Sequence, residues 1–415
     1  MLSLYLARRL SLSPSRGGRS ARSGIVVSVT GIALAIVVMM LSISVMTGFR
    51  SEIRSKIMGF DAQLSVARKG VPGEPPPTVS LAQVSHILRL LPDGARASLA
   101  MRQPAILKTS ENFTGVIIKA ADPGADTTFI ASHLVEGVIP DYGADSTLYH
   151  IVISSSLARR LDTRLGEKLD TYFLGDGVYR ARRLKVAGIY DTHFTDYDNQ
   201  VVFASLPMMR QVSAIPEGRA PYIEISGIGD DRTIDATADS ISSALMLDLL
   251  SDPSRPAYAV SNIHDTAAIY FNWLSLLDTN VAVILVIMAL LSSLTLVSSL
   301  FILILRRVTT IGILKALGAG NALVRRIFVI MTLRILLIGV LAGNAIALAV
   351  ILIQRATAII PLDPETYYLD HVPMAFDPGA WLAVNAAVIL LSAAILLLPS
   401  SVIATIPPSK AINYE

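Results

Sequence analysis

Four long runs without a single charged residue constrain this chain more than anything else in it. They cover residues 23–49, 279–305, 335–354 and 378–409, the last holding a span of about 380–400. Each reaches the roughly 20 apolar residues that a helix needs to cross a bilayer. Inside lipid every backbone polar group must be satisfied within its own segment, so runs of this kind are read as helices. The first run is longer than the apolar core of a cleaved signal peptide, and no small-residue cleavage site follows it. Composition agrees: 53% of the 415 residues are hydrophobic and 16% are charged. With no cysteine, disulfides, thiol chemistry and a lipid-modified cysteine are excluded. A net charge of +3 gives no reason to expect a nucleic-acid partner.

Lys and Arg near the spans set the expected orientation. Arg8, Arg9, Arg16, Arg19 and Arg22 precede the first span. Arg306, Arg307, Lys315, Arg325 and Arg326 lie between the second and third, and Lys410 follows the fourth. The loop between the third and fourth carries Asp363, Glu365, Asp370 and Asp377 instead. The expected layout is a cytoplasmic segment 1–22, a span 23–49, an outside domain 50–278, a span 279–305 and a cytoplasmic stretch 306–326. A span 327–354, an outside loop 355–379, a span 380–400 and a cytoplasmic tail 401–415 complete it. Arg334 breaks the pattern, about two turns into the third helix; it either snorkels to the inner face or is a functional buried charge.

The outside segment is long enough for a folded domain. Residues 61–68 read as a strand and 69–77 as a Gly/Pro turn or linker. Leu81, Val84, Ile87, Leu88 and Leu91 are at helical spacing. Strands are expected at 105–107, 115–119, 151–153, 201–203 and 223–226, with helices at 154–161 and 233–250. Residues 169–174 and 180–189 form a hairpin around Gly175-Asp176-Gly177. The domain is therefore α+β, with its strand-rich middle at about 115–210. The whole is a polytopic α-helical membrane protein, with four transmembrane helices and this domain between helices 1 and 2.

Catalytic motifs are missing. There is no G-x-x-x-x-G-K-[ST] loop and no H-E-x-x-H, and the six histidines are scattered, so no nucleotide, cofactor or metal is expected on this chain. Asp191, His193, Asp196 and Asp198 look like a ligand group, but Tyr190, Phe194 and Tyr197 among them favour a solvated loop with aromatic anchors. Arg180, Arg182 and Arg183 beside the hairpin turn are either a charged strand edge that blocks aggregation or a contact for an acidic partner. Met39, Met46, Phe49, Phe271, Leu274 and Leu277, with Trp273, offer adaptable apolar surface at the first two helices, or serve as interface anchors and packing residues. The stretch between the second and third spans is too basic for lipid. Ile311, Leu314, Ala316 and Leu317 give it an apolar helical face suited to docking a soluble partner; an ordinary positive-inside loop is the other reading.

Several stretches resemble one family. "IGILKALGA" (311–319) resembles the loop by which FtsX/LolC/MacB-class permeases meet their ATPase. "SVMTGFRSEI" (44–53), "LARRLDTRLGEKL" (157–169), "VAGIYDTHFTDYDNQVVF" (186–203), "NWLSLLDTN" (272–280) and "LPSSVIATIPPSKAINYE" (398–415) are similar, in order, to segments of LolC/LolE-type subunits. The resemblance implies a permease subunit of a lipoprotein-releasing ABC transporter, with a MacB-like periplasmic core at 50–278. Ile311, Gly312, Ile313, Leu314, Lys315, Leu317 and Gly318 would couple to a separate LolD-like ATPase. The six apolar residues named above would line a cavity for lipid and lipoprotein, and Arg180, Arg182 and Arg183 would meet a LolA-like periplasmic carrier. A second permease copy or paralogue, acylated lipoproteins and membrane lipids complete the implied partners. Two alternatives are a MacB-like exporter of peptides or drugs and an FtsX-like signalling protein that activates a cell-wall hydrolase. Thr310, Arg306 and Arg307 stand where the family often has Glu, and the hairpin is short and lacks Pro. LolC-like, LolE-like and combined homodimeric roles therefore stay open.

Overall fold

The structure is a computed structural model that describes residues 18–70, 76–174 and 180–396, with side chains from residue 26 onward. The expected turn at 175–177, the arginines at positions 8–22 and the closing motif 398–415 lie outside what is described of backbone or side chain. The chain divides into two compact units. One comprises Met1–Glu52, Trp273–Pro361 and His371–Glu415; the other comprises Ile53–Asn272 and Leu362–Asp370.

The first unit is helical. Among the described residues, four helices are long and apolar enough to cross a membrane. They are Gly18–Phe60, Ala268–Arg306, Asn321–Thr357 and Pro378–Leu396, numbered here as helices 1 to 4. Helices 1 to 3 run well beyond their uncharged runs, because length past the bilayer is stabilised by other contacts. Ile32, Ile36, Met39 and Met40 of helix 1 share a core with Leu296 and Leu300 of helix 2, Leu336 and Val340 of helix 3, and Val388 of helix 4.

Helix 3 approaches helix 1 closely through a G-x-x-x-G pair. A Cβ on Gly339 would lie 2.8 Å from Ile32, and one on Gly343 would lie 2.7 Å from the Ala33 carbonyl. Small residues allow this backbone proximity, which raises dispersion contact where no hydrophobic effect operates. Helices 3 and 4 are tied by reciprocal amide bonds: Asn344 Nδ2 donates to Asn385 Oδ1 at 2.7 Å, and Asn385 Nδ2 donates to Asn344 Oδ1 at 3.1 Å.

The second unit is α+β. Its strands, among the described residues, are β1 (Leu64–Arg68), β2 (Arg96–Lys108), β3 (Phe113–Ala121), β4 (Leu134–Gly137), β5 (His150–Ser154), β6 (Lys168–Phe173), β7 (Arg180–Tyr190), β8 (Val201–Ser205), β9 (Tyr222–Ser226) and β10 (Tyr258–Asn262). The pairings close on themselves: β2–β3–β8–β5–β7–β6 and back to β2 form a ring of six strands. A three-strand extension, β9–β1–β10, leaves the ring at β2. Closure removes exposed strand edges. Leu107, Ile118, Ile153, Leu169, Leu184 and Val202 of the ring share one core.

Three local features differ from the expectation. The expected strand 105–107 runs from Arg96 to Lys108, through Pro104. On one side β2 pairs with β9 over 96–100 and with β6 over 105–108, so Pro104 sits in the gap between partners, where its missing N–H costs nothing on that side. The expected helix at 80–91 is instead two 3₁₀ turns, Leu81–Val84 and Ile87–Leu90. Leu81, Val84, Ile87 and Leu90 repeat every three residues, which is the 3₁₀ period. The chain also adds β4, β10 and a helix at Leu206–Ser213, none of them expected from the sequence.

Candidate functional site

The stretch after helix 2 folds as a separate helix, Val308–Ala316. Ile311 and Gly312 are buried, and Leu314 packs partly on the helical core. Ile313 is 51% exposed and Leu317 is 80% exposed. The helix ends at Gly318, whose φ of +92° suits glycine. The expected apolar face is therefore divided. Ile311 and Leu314 hold the helix to its own bundle, while Ile313, Ala316, Leu317 and Gly318 remain exposed, with Lys315 half-exposed beside them. This arrangement presents a small apolar surface on a basic background.

Of the residues expected to line an apolar cavity, Met39, Met46, Phe49 and Leu274 are buried in the helical unit. The Phe49 ring meets the edge of Trp273 at 5.5 Å. Nearby, Arg50 pairs with Asp278 at 3.2 Å. Leu277 is half-exposed. Phe271 belongs to the α+β unit, where its ring lies 4.5 Å from His264. Phe49 thus packs on Trp273, and Phe271, in the first turn of helix 2, packs on His264.

The C-terminal turns of helix 1 form the most elaborate polar site of the α+β unit. The Phe60 carbonyl accepts hydrogen bonds from Arg102 Nη2 at 3.0 Å and Lys119 Nζ at 2.6 Å. These two cations are register partners on β2 and β3. Cations at a helix C-terminus satisfy orphan carbonyls and the helix dipole together. Asp61, the next residue, accepts from Arg102 and from the Tyr197 hydroxyl, and Lys119 pairs with Glu224 at 3.0 Å. One turn earlier, Lys56 Nζ donates to the carbonyls of Thr192 at 2.6 Å and Tyr368 at 2.7 Å. The buried Phe60 ring stacks on Tyr197 at 4.7 Å and touches Phe129, Tyr190, Phe194 and Phe203.

The 191–198 loop joins this cluster. Asp196 accepts from the hydroxyls of Tyr270 at 2.8 Å and Tyr368 at 2.9 Å. Asp198 is buried and accepts from Thr192 through both carboxylate oxygens, from its hydroxyl at 2.7 Å and its N–H at 3.2 Å. Burial raises the Asp198 pKa to about 6, with the Thr192 bonds opposing the shift and Asp191 adding to it. Phe194 and Tyr190 are fully buried, while His193 and Asp196 are exposed, so the aromatic residues anchor the loop. Among the described residues no group of three His, Cys, Asp or Glu side chains could hold a metal. Lys56, Asp61, Arg102, Lys119 and Glu224 escaped the sequence reading because they come from four separate stretches. The aromatic density of 190–197 was the one local signal.

At the hairpin, Arg180 turns inward to donate to the Val212 carbonyl. Arg183 pairs across the hairpin with Asp170 at 3.3 Å, and both are exposed. Arg182 is half-exposed and donates to the Ala181 carbonyl at 2.9 Å. The three arginines therefore share a strand but not a role in the fold.

Comparison with known proteins matches these parts. The family model of the MacB-like periplasmic core domain matches residues 25–244, more than half of the chain, and that of the FtsX-like permease C-terminal domain matches residues 282–408. The curated lipoprotein-releasing system transmembrane protein LolC of Xylella fastidiosa (strain Temecula1) is 23% identical over 407 residues, covering 94% of this chain and 93% of that protein. Two solved structures are also similar. The extracellular domain of the noncanonic ABC-type transporter YknZ, from Gram-positive bacteria, is 13% identical with a TM-score of 0.33 over 48% of this chain and 99% of its own. The periplasmic region of MacB from Actinobacillus actinomycetemcomitans is 10% identical with a TM-score of 0.33 over 52% of this chain and 95% of its own. The two family models, in this order on one chain, establish that the protein belongs to the family of ABC-transporter permeases joining a MacB-like periplasmic core domain to an FtsX-like permease domain.

Proposed function

We propose that this permease extracts acylated lipoproteins from the outer leaflet of the inner membrane and hands them to a soluble periplasmic carrier, driven by a separate LolD-like ATPase subunit. The observation that carries the reading is the match to LolC over nearly the full length of both chains. The lack of a nucleotide-binding loop supports an ATPase on another chain. In this reading both termini and the 306–326 stretch are cytoplasmic, and residues 50–278 face the periplasm, as the distribution of Lys and Arg favours.

The physical need for such a machine is large. Each buried methylene of an acyl chain is worth about 0.8 kcal/mol, so two or three chains sum to tens of kcal/mol and spontaneous release is negligible. Extraction needs an apolar path, an energy input and an apolar acceptor. Leu277, with buried Met39, Met46, Phe49 and Leu274 of the helical unit, and half-exposed Phe271 of the α+β unit are the proposed contacts for the chains. Ile313 and Leu317 are the proposed ATPase contacts. Arg182 and Arg183 are the proposed contacts for a LolA-like carrier, since Arg180 is held by the fold. A second permease, as a copy or a paralogue, completes the proposed assembly.

The test is purification of the full chain in mild detergent, with mass spectrometry of the proteins and lipids that accompany it. The reading requires an ABC ATPase together with acylated lipoproteins. An ATPase with a peptide or drug and no acylated protein would place the chain with MacB-like exporters. A cell-wall hydrolase without lipid cargo would place it with FtsX-like signalling proteins.

A further inference from the structure

Closure of the ring leaves β4 outside it. Among the described residues β4 pairs with β7 and with no other strand, so one of its edges is unpaired. Val135 and Val138 on this segment are 60% and 66% exposed. The free N–H and C=O groups of an open edge are a template for another chain, and folded domains normally blunt or cover them. β4 carries a register shift between Leu134 and Glu136 and the charge of exposed Glu136, yet the segment stays open to solvent.

A largely apolar groove of about 430 Å³ lies beside this edge, lined by Leu134 and Val138 together with Pro123, Ile139 and Pro140. A smaller cavity of about 120 Å³ shares Ala125, Thr127, Ile139 and Tyr142 with it. Tyr142 is 5% exposed, and its hydroxyl makes no hydrogen bond among the described residues. Burial pushes its pKa up, with no hydrogen bond or neighbouring charge adding to the shift. A buried phenol ordinarily has a partner for its O–H. Tyr142 thus brings to the groove a donor that the fold leaves unused.

The segment that builds the groove is acidic. Residues 121–149 carry Asp122, Asp126, Glu136, Asp141 and Asp145 and no lysine or arginine. Arg210 reaches Asp122 at 3.8 Å, and the other four have no ion pair among the described residues. Asp141 lines the groove itself.

These features select among occupants. An acyl chain would fill the apolar volume but leave the strand edge and the Tyr142 hydroxyl without partners. A second copy of β4 would set Glu136 against an equally acidic segment. An extended peptide satisfies the edge through its backbone, offers a carbonyl to Tyr142 and places alternate side chains in the groove. Lysine or arginine flanking those side chains complements the acidic surroundings.

We propose that β4 and the groove beside it bind an extended segment of a separate protein, apolar at alternate positions and flanked by lysine or arginine, by adding that segment as a strand to the open edge. The site lies wholly within the α+β unit and is independent of the cargo and of the carrier contacts proposed above.

The full chain in a neutral detergent, titrated against fluorescein-labelled peptides and followed by anisotropy, tests this. The probes are a pool of short peptides in which Thr alternates with Ala, Val, Leu or Phe, with Arg at both ends, and a matching pool with Glu at both ends. The parent should bind the Arg-ended pool about tenfold more tightly at low salt, and the ratio should shrink as salt rises. Fully N-methylated peptides, which have no donor for the edge, should not bind. Tyr142→Phe should weaken the Arg-ended pool about fivefold, the loss of one net hydrogen bond. Glu136→Gln combined with Asp141→Asn should narrow the gap between the pools, whereas Asp239→Asn, on the helix Asp231–Ser251, should change neither. Equal affinity for the two pools, binding of neither, or an unchanged Tyr142→Phe overturns the proposal. If Tyr142→Phe does not fold, the two pools compared on the parent and on the double carboxylate variant decide. Displacement of the peptide by palmitate would make the groove an acyl site. Chain-to-chain disulfides through Val138→Cys that the peptide blocks would make it a contact between copies, since the chain has no other cysteine. Either result also overturns the proposal.

Discussion

Asp198 and Gly59 show how single residues commit the α+β unit to its arrangement. The Asp198 carboxyl has its pKa raised by burial from 3.8 to about 6. The folded state therefore binds its proton more tightly than the unfolded chain does. Its stabilising contribution is complete below pH 4 and is lost as pH rises through 6. About two pKa units correspond to roughly 3 kcal/mol. Asp198→Asn is neutral throughout and keeps one acceptor oxygen for Thr192. The melting temperature of the variant, relative to the parent in detergent, should rise between pH 4 and pH 7. A constant difference across that range would contradict the account.

Gly59 lies in the last turn of helix 1, where alanine would ordinarily gain about 1 kcal/mol. Here a Cβ would fall 2.2 Å from Cγ of Phe129. Overpacking of this kind costs about 1–3 kcal/mol and should win. Gly59→Ala is expected to lower the melting temperature, and Phe129→Ala in the same chain should remove most of that penalty. Independent, additive losses would argue against the contact.

At the scale of elements, the helix Val308–Ala316 and the residue after it divide into buried positions and exposed positions, the latter being the proposed ATPase contacts. Ile311→Asp places a charge among buried apolar residues and should destabilise the chain itself. Leu317→Asp alters an exposed position. It should leave the melting temperature within about 0.5 kcal/mol equivalent of the parent while weakening ATPase binding. Equal ATPase binding by the Leu317 variant and the parent, measured by co-purification, would remove the docking role.

The elements differed in how legible they were. The apolar runs of the four long helices stood out because a bilayer imposes length and composition on each independently. Most ring strands were visible from their short β-branched runs, including the 180–190 strand. Strand β2 is longer than its apolar stretch 105–107 suggests, because Pro104 is tolerated only where its two successive partners leave a gap. The threefold repeat at 81–90 also fits an α-helix in sequence, because one turn of either helix looks alike. Gly339 and Gly343 are legible in the sequence as a G-x-x-x-G pair in an apolar run, which points to close helix packing.

For the whole molecule, the sequence reached the architecture but not the contacts that hold it. Fold class, the four spans and the family followed from patterns within single stretches. The closed ring of strands did not, because closure depends on β2 meeting β6 across some 60 residues, and nothing local encodes that pairing. The cap on Phe60 was hidden for the same reason, since Arg102 and Lys119 gain their meaning only when β2 and β3 lie side by side. Burial divides the expected docking face and the arginine cluster each into residues held in the fold and residues left exposed.

The central claim is that this permease moves lipid-anchored protein out of a membrane, and transfer to a soluble acceptor tests it most directly. The chain would be reconstituted in proteoliposomes with the ATPase that co-purifies with it, an acylated lipoprotein and a soluble apolar-binding carrier. The account predicts that lipoprotein appears in the soluble fraction bound to carrier, in amounts that depend on ATP and on the permease. Lipoprotein that stays in the membrane while ATP is hydrolysed at a normal rate would contradict it.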